Sequence, residues 1–149
     1  MSSAGQLLVA GRLPGEVIGT PTVVVADSST FTTTESGALA SVTVPLISGR
    51  TYRVRFTGGW NSTVLADTIT VRLREDTASG TQVDSDTINT PLVSSLRGGK
   101  VSVEGRYTAT ATANKTFVVT GQREAGTGNC RLAASTLRPA ILEVLYESG

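Results

Sequence analysis

The chain has 149 residues, of which 39% are hydrophobic and 17% charged, with 13 Lys and Arg against 12 Asp and Glu, no histidine and one cysteine. That length suits one domain with a real core, and the balance is too apolar for a disordered chain. Without histidine, Ser-His-Asp and Cys-His chemistry is excluded; a single cysteine excludes an internal disulfide and a Cys-rich zinc site; and a net charge of +1 with no basic run argues against nucleic acid as a partner.

The first 18 residues are irregular but greasy. Gly5, Gly11, Pro14 and Gly15 break every periodicity, while Leu7, Leu8, Val9, Leu13, Val17 and Ile18 are apolar. Such a segment cannot bury itself. Residues 1–18 are therefore expected to form an extended N-terminal docking arm, with Leu7, Leu8, Val9 and Leu13 meeting a neighbouring subunit. The competing reading is a cover over an open edge of its own sheet. The start has no basic region, and its apolar stretch is too short for a secretory signal, so synthesis in the cytoplasm without a signal peptide is expected. No run approaches the length of a membrane span, and no membrane partner is expected.

Residues 19–149 read as a single β-sandwich domain. Thr22 to Val25 is a compact apolar strand, and Phe31 among threonines suggests a second. Residues 39–46 alternate at Val42 and Val44. Residues 51–57 alternate more cleanly, with Tyr52, Val54 and Phe56 on one face and Arg53 and Arg55 on the other. Residues 58–62 read as a bend or bulge. Ile69, Val71 and Leu73 resume the alternation against Arg72 and Arg74, and residues 75–80 form a polar turn. A short strand is expected around Val83. Gly98-Gly99 reads as a tight turn before Val101, Val103 and Tyr107, and Asn114-Lys115 as a hairpin turn before Phe117, Val119 and Gly121. Residues 126–129 turn into Cys130 and Leu132. The last strand, Ala140 to Tyr146, is apolar on both faces and is expected to be central or packed on both sides. About nine to ten strands at roughly 10-residue spacing, with no helical period, define an all-β chain: a single antiparallel sandwich, jelly-roll-like, with an extended N-terminal arm.

Little in this pattern carries chemistry. The acids at 67, 75, 76, 84 and 86 sit beside turns, where Asp is expected for backbone reasons. A glycosidase pair would need facing carboxylates. Asp84 and Asp86 have the spacing of a calcium loop but lack its glycine and closing glutamate. No catalytic, cofactor or metal residue is assigned, and the chain is read as non-enzymatic. Two Asn-x-Ser/Thr sequons, at Asn61 and Asn114, are read as Asn in turns. Cys130 is read as a small strand hydrophobe. Trp60 is favoured as a core residue, with stacking on a sugar ring as the alternative. Trp60, Asn61, Arg97 and Lys100 are the candidate outward-loop residues.

Four stretches together carry a resemblance: TYRVR at 51–55, DTITVRLREDTASGT at 67–81, FVVTGQR at 117–123 and RPAILEVLYESG at 138–149. A strand with alternating Arg, an acidic-Ser-Gly turn and a terminal Pro-Ala-hydrophobic strand are similar to small virion proteins of tailed phages of actinobacteria, the minor tail proteins. The resemblance covers roughly residues 20–149 and is one of strand and turn types. It implies a jelly-roll-like sandwich, trimeric, carried on the outside of a phage particle, with other tail or capsid proteins as partners. Contact with the host, including a host cell-surface glycan, is a further expectation. The alternatives are a capsid decoration protein and a free carbohydrate-binding module using Trp60 with Tyr52, Tyr107 or Tyr146.

Overall fold

Period-two burial builds the strands. The computed structural model describes residues 13–89 and 98–149. Among the described residues there are nine strands and no helix: β1 (Thr22–Val24), β2 (Ala40–Leu46), β3 (Thr51–Ser62), β4 (Thr68–Glu75), β5 (Gln82–Asn89), β6 (Gly98–Thr108), β7 (Ala113–Ala125), β8 (Cys130–Ala133) and β9 (Ala140–Ser148). In β2, Ala40, Val42, Val44 and Leu46 are buried and the residues between them are exposed. In β3, Tyr52, Val54, Phe56 and Trp60 turn inward.

All the pairings are antiparallel, and they nest. β4 pairs with β5, β3 with β6, β2 with β7 and β1 with β9. The chain is one long hairpin, rolled so that β9 also meets β3 and β7 also meets β4. Two sheets result, in the orders β1-β9-β3-β6 and β2-β7-β4-β5, with β8 pairing the far end of β3. That is the jelly roll expected from the strand pattern. The central position expected for the last strand also holds, since β9 lies between β1 and β3.

The two inner faces meet over one core. Trp60, Tyr52, Phe56 and Phe117 are its largest fully buried side chains. Each such burial contributes about 2–3 kcal/mol. Tyr52 also closes the β2–β3 turn, because its hydroxyl accepts the Ile47 N–H at 3.0 Å.

Five local expectations are corrected. Phe31 forms a single bridge to Cys130 rather than a strand. It is buried where the chain crosses from one sheet to the other. Residues 58–62 are not a bend but the second half of β3, held straight between β6 and β8. Gly98-Gly99 is not a turn either: Gly98 and Gly99 open β6, opposite Asn61 and Trp60. Asn114 and Lys115 pair with Pro45 and Val44 inside β7, and the turn falls before Ala113. Finally, the boundary at residue 18 does not hold in the described part of the lead. Gly15 and Ile18 donate to the Tyr146 and Val144 carbonyls, each at 2.8 Å, and Ile18 is buried. Residues 15–18 thus belong to the sandwich and cover the β9 edge, because that edge would otherwise leave its N–H and C=O groups unpaired. Leu7, Leu8 and Val9 lie outside the described residues, and Leu13 is exposed.

Candidate functional site

The outer face of the β1-β9-β3-β6 sheet carries three distinct zones. The first is apolar and lies at the edge. Val17 is opposite Leu145 and Val23 is opposite Ile141, which sets both valines on the outer face, and Val25 repeats the period one step on. Their exposures are 37% for Val17, 56% for Val23 and 49% for Val25, with Leu13 at 55% beside them in the chain.

The second zone is ionic. Arg55 lies between Glu104 and Glu143 in the strand register and donates to Glu143 at 3.0 Å through Nε. Arg106 meets Glu147 at 3.0 Å, and Arg53 meets Glu104 at 3.6 Å. Half-exposed pairs of this kind contribute about 0–1 kcal/mol each. Their larger effect is to neutralise one another, so this stretch offers no net field to a partner.

The third zone is a groove of about 950 Å³. Its lining includes glycines from two strands, Gly58 and Gly59 of β3 and Gly98 and Gly99 of β6. By the register Gly59 and Gly98 share the outward face of Lys100 and Asn61, where their missing side chains leave the surface low, while Gly58 and Gly99 share the inward face of Phe56 and Trp60. The wall is the segment between β8 and β9, where Ser135 and Arg138 exchange backbone hydrogen bonds at 3.1 and 3.2 Å and so close a tight turn. Leu137 stands on that turn, 93% exposed. The glycine at 58 is required by packing, since a Cβ there would meet the Ala140 Cβ at 2.9 Å. Lys100 and Arg138 line the groove, and neither side chain makes an ion pair or hydrogen bond among the described residues. Asp27, the acid of the lining, is already engaged: it meets Arg131 at 3.3 Å and accepts the Ala134 N–H at 3.0 Å.

Of the residues expected on outward loops, Trp60 and Asn61 are in β3 and Lys100 is in β6. Trp60 is 2% exposed, so it is a core residue and cannot serve as an open stacking platform. Arg97 lies outside the described residues. The structure nevertheless brings Trp60 and Lys100 to the same groove. Sequence reasoning missed Arg138 and the glycine floor; the signal was there in the two Gly-Gly pairs, but only the strand register sets them side by side.

A buried polar cluster lies at the end of the sandwich. Asp67 is fully buried. Its carboxylate accepts from the Ser62 hydroxyl, from the Thr127 N–H at 3.0 Å and from the Gly128 N–H at 3.1 Å. The Cys130 thiol lies 3.7 Å away. Ser, Asp and Cys in contact resemble catalytic apparatus, but all three are buried, and the carboxylate is spent on the backbone of the 126–129 turn. Gly126 and Gly128 leave room for it, since a Cβ on either would collide with the carboxylate. Burial pushes the Cys130 thiol above the usual thiol range; the Ser62 hydrogen bond opposes this and the charge of Asp67 adds to it. On the opposite sheet, Arg74 donates to Glu35 at 2.6 and 2.8 Å, and this pairing holds the Glu35 carboxyl below its usual range against the penalty of burial. Among the described residues, no group of three or more His, Cys, Asp or Glu is arranged to hold a metal ion.

No family model matches this chain, and no curated protein matches it. Among solved structures it is similar to a CBM4 domain, at 16% identity and a TM-score of 0.35, over 72% of this chain and 59% of that one. It is similar to the xylan-binding domain CBM22-1 of Paenibacillus barcinonensis, at 9% identity and a TM-score of 0.32, over 91% of this chain and 97% of that one. It is also similar to a structure of infectious bursal disease virus, at 14% identity and a TM-score of 0.38, over 87% of this chain and 38% of that one. The chain thus spans less than two thirds of the CBM4 chain. The fold class rests on the strand topology described above, and these likenesses are compatible with it.

Proposed function

We propose that this chain is a non-enzymatic structural protein of a virus particle, a minor tail protein of a phage, held to neighbouring virion proteins through its N-terminal lead and β1 edge and displaying the sandwich outward. The observation that supports this most is the row of Val17, Val23 and Val25. It lies on an exposed sheet edge where the lead enters, beside a zone whose charges are paired off. An open apolar edge is a template for another chain, and monomeric proteins usually blunt it with charge. Here valines stand where lysines would be expected.

The resemblance in strand and turn types supports a tail position and a homotrimer. A capsid decoration protein would use the same edge and lead, and is the alternative within the same chemistry. The test is deletion of residues 2–12 together with Val23→Lys in the source phage. The expected outcome is a soluble, folded protein that no longer joins particles. Normal incorporation of that variant overturns the docking role.

A further inference from the structure

We infer that the glycine-floored groove is a binding site for an acidic sugar chain, one bearing carboxylate or phosphate groups along a hydroxyl-rich backbone. The inference is independent of the docking role, since the groove and the valine edge share no residue.

The argument starts from charge. Elsewhere on this face, arginines are matched by glutamates. In the groove, Lys100 and Arg138 are unmatched among the described residues, while Asp27 is already committed to Arg131 and to the Ala134 N–H. A hollow with two free cations and one neutralised acid favours an anion.

Two other anionic partners and a neutral sugar are then set against what the lining holds. A nucleic acid needs many phosphate contacts and exposed rings for its bases; among the described residues the lining has two free cations, and its one aromatic, Trp60, is buried. An acidic peptide would bind as an added strand; β3 has both edges taken, by β6 on one side and by β8 and β9 on the other, so such a peptide could add at the outer edge of β6 but not across the floor, and oligoglutamate is the probe that tests it. A neutral sugar would need an open aromatic face, which Trp60 does not offer. What the lining does offer is hydroxyls at Thr57 and Ser135 beside the cations. Hydroxyls and two cations on a surface short of side chains suit a polar chain lying flat, with acid groups reaching Lys100 and Arg138.

Trp60 is the chain's single tryptophan, so the full-length protein reports on the groove without a label. The experiment titrates it by tryptophan emission and by calorimetry with four probes: oligogalacturonate, a glycerol-phosphate oligomer, cellohexaose and oligoglutamate. The expected result is a saturable emission change with one or both of the first two, weakened by salt. Carboxylate-only or phosphate-only binding identifies the source of the charge. Lys100→Glu with Arg138→Glu, both at exposed positions, should keep the β-type far-ultraviolet spectrum and weaken binding by about tenfold or more. Absence of binding by both acidic probes overturns the inference. So does equal binding of cellohexaose or oligoglutamate, or unchanged affinity in the folded double variant.

Discussion

The ring of Phe31 fills the space that a side chain at Gly121 would occupy: a Cβ on Gly121 would lie 2.6 Å from Phe31 Cζ. The contact joins the crossover segment to β7 where both are buried. Gly121→Ala is therefore expected to destabilise the fold by about 1–3 kcal/mol, because a packed ring has nowhere to move. Urea unfolding measures this as a lower midpoint at unchanged slope. The pair Gly121→Ala with Phe31→Leu should recover part of the loss.

Asp67 clips two loops together at the end of the sandwich. Replacing it with Ala leaves the Thr127 and Gly128 N–H groups and the Ser62 hydroxyl without their acceptor. The expected cost is about 3 kcal/mol or more, since buried donors keep their full desolvation penalty. Asp67→Asn keeps one acceptor oxygen and should cost less. Equal stability of Asp67→Ala and the parent in chemical denaturation would refute this role.

Cys130 is buried, and its thiol is held above the usual thiol range. A thiolate-seeking reagent such as a disulfide dye should not label the native protein over hours at neutral pH. In urea, labelling should proceed at the rate of unfolding. Prompt labelling of the native state would contradict the burial described here.

The Glu35–Arg74 pair sets a pH dependence with a definite sign. The folded carboxyl titrates below its unfolded value, so the native state holds its charge longer as acid is added. The stabilisation is present above the unfolded value, about 4.3, and is lost as the pH falls through the lower folded value. Glu35→Gln should lower the melting temperature at pH 7 and flatten its decline below about pH 4.3. A parallel acid limb in parent and variant would exclude this pair as a contributor.

Much of this fold was legible because burial alternates so regularly. Tyr52, Val54 and Phe56 announce a half-buried strand, and Ile69, Val71 and Leu73 another. What the residues could not announce was register. Gly58, Gly59, Gly98 and Gly99 have the local chemistry of turns, and glycine in mid-strand is normally unfavourable. They are strands because β8 and the opening of β6 flank them, which is long-range information. The groove is made of that pairing, so it was invisible. Trp60 illustrates the same limit: its neighbours suggest a loop, and it is favoured as a core residue only because tryptophan is usually buried, whereas in the structure it continues the inward row of Val54 and Phe56.

The nested pairing has a consequence for how the molecule assembles. Thr22 meets Leu142, so the β1–β9 seam joins residues from opposite ends of the polypeptide. Zipping from the β4–β5 tip, each successive pair closes a larger loop at a growing entropic cost, and chains of this topology fold in milliseconds to seconds, about a thousandfold slower than helical bundles. In that order the β1–β9 seam, which also carries the exposed valines, would be the last to close, and a neighbour seated there would secure the closing step of folding.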